Sequence, residues 1–247
     1  MYTENYNLKT KKLKERVQDI IKKRGYWYTF KKAFYMHAFP LYLKIFVKNR
    51  EIIFKNKRLH YFSHKYNHTW ANERAIEIPL ILSLIDGVPK EDILEIGNVL
   101  SHYIRTEWDI LDKYERSAGV INTDAVDFKP SKRYKYIISI STLEHIGFDE
   151  EPKDDEKILN TIQNLKSNCL SKNGKVIFTV PVGWNQNLDK KLQTAKIKLS
   201  ELHYFKRISW DNEWVISNRD DVFGTKFSKP YIGANGLILG IIENNVD

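Results

Sequence analysis

The stretch "EDILEIGNVLSHY", residues 91–103, sets the fold that we predict for this chain. Its apolar run Ile93–Ile96 contains one acid, Glu95, and leads directly into Gly97. Such a run, ended by a glycine, is typical of a buried strand that enters a ligand-binding turn. A dinucleotide-binding turn of the G-x-G-x-x-G type has three glycines, whereas this turn has one. We therefore do not expect a nicotinamide cofactor.

The composition is that of a globular protein with an excess of positive charge. Of the 247 residues, 42% are hydrophobic and 29% are charged, and the formal charge is +9. This excess favours an anionic partner, such as a phosphorylated substrate, a membrane surface or a nucleic acid. The single cysteine, Cys169, excludes an internal disulfide and is expected in the core. No apolar signal segment is recognised near Met1, so a cytoplasmic location is expected.

Strands alternate with helices from residue 91 onward. The predicted strands are 92–96, 108–112, 119–123, 135–141 and 174–181, with further strand-like segments within 203–243. This alternation predicts a parallel sheet with right-handed crossovers, in which ligands bind beyond the carboxyl ends of the strands. An acid that ends the second strand, Asp112, suits the two hydroxyls of a ribose. Asp124, followed by the backbone N–H of Ala125, suits the edge of an adenine.

These segments together resemble the class I S-adenosylmethionine-dependent methyltransferases over residues 91–183. The matching stretches, in chain order, are "DILEIGN", "DILDKYE", "INTDAVDF", "YIISISTLEHIG" and "LSKNGKVIFTVPVG". The resemblance implies a Rossmann-like, doubly wound α/β fold. Its mostly parallel sheet has seven strands, and segment 203–243 supplies the sixth strand and an antiparallel seventh.

The resemblance also implies S-adenosyl-L-methionine as the cofactor. It assigns Glu95 and Gly97 to the loop at the methionine end of the cofactor, Asp112 to the ribose, and Asp124 with Ala125 to the adenine. Two residues beside these complete the predicted cofactor set, namely Asn98 and Ser141. Asn98 follows the single glycine, and we expect it to take the left-handed backbone conformation that a second glycine would otherwise adopt.

The loop after the fourth strand carries the predicted catalytic residues, His145 and Glu144. Transfer of a methyl group to a hydroxyl requires alignment and a base, and the ordinary pKa of histidine lies near neutrality. The structural alternative is that His145 bonds to the loop backbone while Glu144 caps or pairs. Two adjacent ligands without a third do not make a metal site, so no metal is predicted.

Further polar residues lie on either side of this region. Arg74 is predicted to bind the cofactor carboxylate or a substrate phosphate, or else to pair locally with Glu73 and Glu77. Trp184 and Asn185 follow the fifth strand and are expected to line the acceptor pocket or to occupy a surface loop.

We predict two regions, a basic and aromatic extension (1–65) and the methyltransferase-like domain (66–247). The extension is expected to contain a helix at 8–24 and a hairpin at 50–62. It has three interpretations: an arm over the cofactor site, which we favour, a contact with an anionic membrane, or a nucleic-acid contact.

The function that we predict is methylation of a hydroxyl on a small-molecule or carbohydrate-like acceptor, which is anionic or lipid-linked. The first alternative is an RNA methyltransferase, although the sequence motifs do not favour nucleic acid. The second is a non-catalytic module that keeps the sheet but has lost cofactor binding, as the single glycine would allow.

Overall fold

The computed structural model describes residues 13–38, 41 and 50–244. It divides the chain into two compact units, Met1–Arg50 and Glu51–Asp247. The division therefore falls earlier than the predicted boundary at residue 65. The difference arises because the predicted hairpin belongs to the second unit and not to the extension.

The described residues of the first unit include the helices α1 (Leu13–Arg24) and α2 (Tyr26–His37). Gly25 separates them with a φ of 84°, a backbone conformation that glycine adopts without steric cost. The predicted helix thus ends where the sequence indicates. Its expected first turn, residues 8–12, lies outside the described residues.

The second unit begins with the antiparallel hairpin of β1 (Glu51–Phe54) and β2 (Lys57–His60), which confirms the two strands predicted there. A short helical turn, Tyr66–Ala71, then leads to α3 (Arg74–Leu84). The residue at the N-cap of α3 is Glu73, and the side chain of Asn72, one residue earlier, accepts a hydrogen bond from the Arg74 N–H at 3.0 Å.

The remaining elements alternate as predicted. The strands are β3 (Ile93–Ile96), β4 (Asp109–Leu111), β5 (Val120–Ile121), β6 (Tyr134–Ile140), β7 (Leu170–Pro181), β8 (Glu201–Arg207), β9 (Trp214–Ser217) and β10 (Gly236–Glu243). The helices are α4 (Lys157–Asn164), which a π-helical turn (Leu165–Cys169) extends, α5 (Gln186–Gln193) and α6 (Arg219–Phe223).

One sheet contains eight strands in the order β5-β4-β3-β6-β7-β10-β8-β9. The strands β5, β4, β3, β6 and β7 pair in parallel with one another, and β10 lies antiparallel between β7 and β8. The last strand in the chain is therefore antiparallel to its neighbours, as the resemblance implies, and the Rossmann-like fold is confirmed. The sheet has eight strands where seven were predicted, because β9 adds an antiparallel strand at the edge beside β8.

Two hydrophobic cores cover the two faces of the sheet. Side chains of β6 and β7 alternate between them, so that Ile137 and Phe178 face one core while Ile138 and Ile177 face the other. Helices α4 and α5 pack in the first core, and α3 packs in the second. Cys169 is fully buried in the first core, as predicted. Within the described ranges, no helix combines the length and the apolar character needed to cross a membrane.

Candidate active site

The turn after β3 closes against the loop after β6. Gly97 has a φ of 84°, and a Cβ at this position would lie 2.2 Å from Oγ1 of Thr142. Its N–H donates to the carbonyl of Leu111 at 2.8 Å. The position therefore requires glycine for both its conformation and its space, and the turn joins the carboxyl ends of β3, β4 and β6.

Glu95 orders this turn from inside the protein. Its Oε1 accepts the backbone N–H groups of Val99 and Leu100 at 2.9 and 2.8 Å, and its Oε2 accepts the indole N–H of Trp108 at 2.9 Å. Burial raises the pKa of Glu95, although these three donors oppose the shift. Both oxygens are engaged, so the carboxylate supports the predicted cofactor loop by holding its backbone.

The predicted conformation of Asn98 is wrong. Its backbone is not among the left-handed positions of the described chain. It acts through its side chain instead, which accepts the hydroxyl of Ser101 and donates to Oε1 of Glu115 at 2.8 Å. An asparagine held by neighbours on both sides rigidifies the loop without replacing a glycine.

Asp112 lies at the end of β4 and joins two loops. Its Oδ1 accepts the N–H groups of Tyr114 and Glu115, each at 2.8 Å, and its Oδ2 accepts the N–H of Asn98 at 3.1 Å. These contacts cap its own turn and fix the β3 loop. A carboxylate has about four acceptor sites, so one remains for a ribose hydroxyl. The ribose role stays a prediction.

Asp124 belongs to a group of alternating charges, the lysine–carboxylate cluster, which consists of Lys113, Asp124, Glu150 and Lys157. Lys113 Nζ lies 2.8 Å from Asp124 Oδ2 and 2.9 Å from Glu150 Oε2. Lys157 Nζ contacts the same two oxygens at 2.6 and 2.5 Å. The cluster is electrically balanced and ties the loops after β4, β5 and β6 to the first turn of α4.

This cluster lowers the pKa values of its carboxyl groups. Burial alone would raise the pKa of Asp124, but the hydrogen bonds from Lys113 and Lys157 outweigh it. The pKa of Glu150 is lowered for the same reason. Oδ1 of Asp124 has one longer contact, 3.3 Å to the Val126 N–H, and this oxygen is the one open to the amine of an adenine. The adenine role also stays a prediction.

Ala125, the second predicted adenine contact, is buried against α4. Its carbonyl accepts a hydrogen bond from the side chain of Asn164 at 2.9 Å. The carbonyl of Phe128 accepts from the same amide group at 2.8 Å, which fixes the loop after β5.

A second charged group, the buried glutamate cluster, lies where α3 meets the end of β6, and we define it as Glu73, Arg74, Glu77, Ser141 and Glu144. Arg74 pairs with Glu77, whose other oxygen accepts the Ser141 hydroxyl at 2.6 Å. Ser141 has a φ of 39°, which points to local strain at the end of β6. Of the two roles predicted for Arg74, local pairing is therefore the one observed.

Glu144 is the unbalanced member of this cluster. It is 1% exposed, and its Oε2 has no hydrogen-bond partner. Burial raises its pKa well above the ordinary value, and the charges of Glu77 and Glu73 raise it further. Such a group favours its neutral, protonated form until a donor or a cation arrives.

His145 lies beside Glu144 and forms a pair with Asp149. Its Nδ1 is 2.5 Å from Asp149 Oδ2, and its Nε2 is 3.7 Å from Glu144 Oε1. The imidazole is 41% exposed, so Nε2 can reach a ligand. A carboxylate only accepts, so Asp149 assigns the proton to Nδ1 and leaves the lone pair on Nε2. This is the arrangement that a general base requires.

The residues after β7 divide between two roles. The ring of Trp184 packs against the rings of His145 and Phe227, with centroid distances of 5.6 and 4.8 Å. Its indole N–H is buried without a hydrogen-bond partner. Asn185 is buried, caps α5 by accepting two backbone N–H groups, and donates to the carbonyl of Glu144 at 2.8 Å. Trp184 thus remains a candidate for the acceptor pocket, whereas Asn185 has a structural task.

Contacts between backbones link the predicted residues at one edge of the sheet. Gly97 touches Thr142, the His145 N–H donates to the Thr142 carbonyl at 3.0 Å, and Asp112 binds the loop after Gly97.

The sequence analysis missed Asp149 and Lys113. The spacing of Asp149, four residues after His145, was the available signal. Nothing in the sequence indicates that Lys113 reaches across to Asp124.

No group of three or more histidine, cysteine, aspartate or glutamate side chains in the described part of the chain is placed to hold a metal ion.

No family model and no curated protein matches the chain. Among solved structures, the N-methyltransferase NodS of Bradyrhizobium japonicum WM9, in complex with S-adenosyl-L-homocysteine, is similar with a TM-score of 0.44 at 12% identity, covering 70% of this chain and 87% of that one. A SAM-dependent methyltransferase from Thermotoga maritima is similar with a TM-score of 0.36 at 13% identity, covering 65% and 86%. A further one from Clostridium acetobutylicum gives 0.37 at 9% identity, covering 68% and 89%. At these identities the activity has to be argued from the site of this chain.

Proposed function

We propose that this protein is an S-adenosylmethionine-dependent methyltransferase that acts on a hydroxyl of a small-molecule or carbohydrate-like acceptor. The observation that carries the proposal is the pair of His145 and Asp149, one turn of chain away from the contact between Gly97 and Thr142. A histidine whose proton is held on Nδ1 therefore lies next to the turn after β3, at the edge of the sheet where folds of this kind bind ligands.

Unsatisfied acceptors at this edge match the chemistry of the cofactor. Oε2 of Glu144 is buried without a donor, and S-adenosylmethionine carries a donating ammonium group and a positive sulfur. Asp112 retains one acceptor site for a ribose hydroxyl, and Oδ1 of Asp124 is open to an exocyclic amine. The three groups follow β6, β4 and β5, which are the strands expected to contact such a ligand.

S-adenosylmethionine, when bound, supplies an electrophilic methyl group. The protein contributes a base to the acceptor: Nε2 of His145 takes the hydroxyl proton while Asp149 holds Nδ1 and stabilises the imidazolium that forms. Trp184, packed edge-to-face on the imidazole, limits the directions from which an acceptor approaches Nε2. The chain therefore contributes orientation and proton transfer.

Transfer of an isotopically labelled methyl group tests this proposal. The full-length protein would be incubated with labelled S-adenosylmethionine in three separate reactions. The first contains a mixture of small hydroxyl compounds, the second phosphorylated sugars, and the third total RNA. We expect label in a hydroxyl compound, and its loss in the His145→Gln variant. Label confined to the RNA fraction, or transfer that is unchanged in His145→Gln, would overturn the proposed acceptor class or the proposed base.

A matched control separates loss of chemistry from loss of folding. Lys135 is exposed and lies in an ion pair with Asp92, far along β6 from its carboxyl end. Lys135→Met should transfer the methyl group as the unmodified protein does, since this side chain is at the opposite end of the strand from Ser141. Equal loss in both variants would show that the assay reports stability and not catalysis.

A further inference from the structure

Positive charge is distributed unevenly along this chain. Residues 1–50 contain 13 lysines and arginines against 3 acids, which gives +10. Residues 51–247 contain 27 basic and 28 acidic residues, which gives −1. The unit that carries the candidate active site is therefore close to neutral, and the excess charge belongs entirely to the first unit. An anionic partner of the whole protein is accordingly a partner of that first unit.

Helix α2 presents large aromatic side chains to solvent. Tyr26, Trp27 and Phe30 are 79%, 67% and 63% exposed. Their spacing of three and four residues places them on one side of the helix. Leu41, beyond the helix, is 63% exposed as well. Large apolar side chains grouped at a surface in this way mark a site of interaction.

Basic side chains border this aromatic face. Lys31 Nζ lies 5.3 Å from the ring centroid of Trp27, and Arg24 lies 5.8 Å from that of Tyr28. Lys32 is exposed on the next position. Tryptophan and tyrosine with adjacent lysines are characteristic of helices that lie in the interface of a bilayer, where the rings enter the headgroup region and the charges meet anionic lipids.

The exposed apolar side chains of this unit favour a bilayer over a nucleic acid. The rings of Trp27 and Phe30 are nearly parallel, with an interplanar angle of 15° and centroids 6.0 Å apart, and the aliphatic side chain of Leu41 is exposed as well. Single-stranded nucleic acid is bound by stacking of bases on aromatic rings, which an aliphatic side chain does not provide. The boundary of a bilayer accepts aliphatic and aromatic side chains alike.

We propose that α2 docks this protein on an anionic lipid surface, with Tyr26, Trp27 and Phe30 entering the headgroup region and the surrounding lysines and arginines contacting acidic lipids. The contact is peripheral and is independent of methyl transfer. It supplies a reason why the positive charge is gathered in one unit and why apolar rings are left in water.

Sedimentation with lipid vesicles tests this proposal on the full-length protein. Vesicles of an equal mixture of phosphatidylglycerol and phosphatidylcholine should bind the protein, and vesicles of phosphatidylcholine alone should bind it much less. The double variant Trp27→Ala, Phe30→Ala should bind the mixed vesicles roughly tenfold more weakly or worse, because two rings no longer leave water. The double variant Lys31→Glu, Lys32→Glu should bind the mixed vesicles more weakly than the unmodified protein, and the difference should grow as salt is lowered, because the charge of the first unit falls from +10 to +6.

Ile216 offers the matched control, because it is 56% exposed in the second unit. Ile216→Ala should bind the mixed vesicles as the unmodified protein does. The substituted side chains are exposed, apart from the half-buried Lys31, so the thermal unfolding midpoint should change little. Equal binding to both kinds of vesicle, or binding that survives the loss of both rings, would overturn the proposal. So would retention of RNA on a filter at physiological salt without any vesicle binding, which would make nucleic acid the partner.

Discussion

Two charged groups lie at the same edge of the sheet and differ in their balance. The lysine–carboxylate cluster pairs two cations with two anions, and every carboxylate in it touches two ammonium groups. The buried glutamate cluster sets three carboxyl groups against the single guanidinium of Arg74 and leaves one carboxylate oxygen without a partner. One loop, residues 141–150, contributes to both.

The pKa values of the two groups shift in opposite directions. Those of Asp124 and Glu150 are lowered, because the lysines outweigh burial. Those of Glu144 and Glu73 are raised, because burial and neighbouring carboxylates favour the neutral form. Lowered values identify charges that stabilise the folded chain, whereas a raised value beside an unsatisfied atom identifies a place for a ligand or a proton. We therefore expect the first cluster to contribute mainly to stability and the second to receive a ligand or a proton.

The largest expected effect is on catalysis at His145, which lies beside the second cluster, 3.7 Å from Glu144. His145→Gln should lower the rate of methyl transfer by about 10²- to 10⁴-fold, because the acceptor loses its base. The free energy of unfolding should change little, since the imidazole is 41% exposed. Initial rates with labelled cofactor and urea unfolding measure the two quantities. If His145→Gln lost unfolding free energy in proportion to its loss of activity, the distinction between a stabilising cluster and a catalytic one would not hold.

A smaller effect is expected on stability at the first cluster. Lys157→Met removes a cation whose side chain is 13% exposed and which touches Asp124 and Glu150. We expect a loss of about 2 kcal/mol of unfolding free energy, between the values for exposed and for buried pairs. Lys135→Met, whose lysine is 62% exposed, should lose at most about 0.5 kcal/mol.

The pH dependence of this loss follows from the lowered carboxyl pKa values. Asp124 and Glu150 stabilise the folded chain at pH values above the ordinary pKa of each group, 3.8 for Asp and 4.5 for Glu. This contribution disappears as the pH falls through the lowered pKa values of the folded chain. The cost of Lys157→Met should therefore be full at neutral pH and shrink below about pH 4. A cost that does not vary with pH would mean that packing, and not charge, holds the cluster.

The last prediction distinguishes the two clusters by the sign with which the unfolding free energy depends on pH. Glu144 has a raised pKa, so the folded chain keeps a proton that the unfolded chain loses above its ordinary value of 4.5. The unfolding free energy of the unmodified protein should therefore fall as pH rises, by at most about 1.4 kcal/mol per pH unit. Glu144→Gln removes the part of this fall that Glu144 contributes, so the variant gains stability relative to the unmodified protein as the pH rises.

Glu150→Gln is the matched comparison for that variant. The pKa of Glu150 is lowered, so its replacement should cost most at neutral pH and least in acid. Thermal unfolding of Glu144→Gln between about pH 5 and about pH 8, and of Glu150→Gln between about pH 2.5 and about pH 5, shows the two signs, because a raised pKa acts above the ordinary value and a lowered one below it. Parallel behaviour of the two variants would contradict the comparison between the clusters.

Much of the fold could be predicted because the relevant signals are local. The unbroken apolar run in β6 and the single glycine after β3 indicate a buried parallel strand and its turn without knowledge of the rest of the chain. The antiparallel final strand followed from the resemblance. Strand β9 was missed because Trp214–Ser217 has only four residues, and an apolar run that short does not by itself indicate a separate strand.

The site was predicted less fully because its contacts depend on long side chains and on loop geometry. The positions of His145 and Asp112 follow from strand ends, which the pattern gives. The partners do not: Lys113 reaches Asp124 and Glu150, and Asn98 uses its amide and not its backbone. Such contacts form only once separate loops have been brought to one edge of the sheet.

Calorimetric titration of the full-length protein with S-adenosyl-L-methionine and S-adenosyl-L-homocysteine tests the central claim most directly. The account predicts saturable binding of both compounds at one site per chain, strongly weakened in Asp112→Ala, since the ribose contact and the anchor of the Asn98 N–H are lost together. A folded protein that gives no saturable heat with either compound would contradict the claim that this edge of the sheet binds the cofactor.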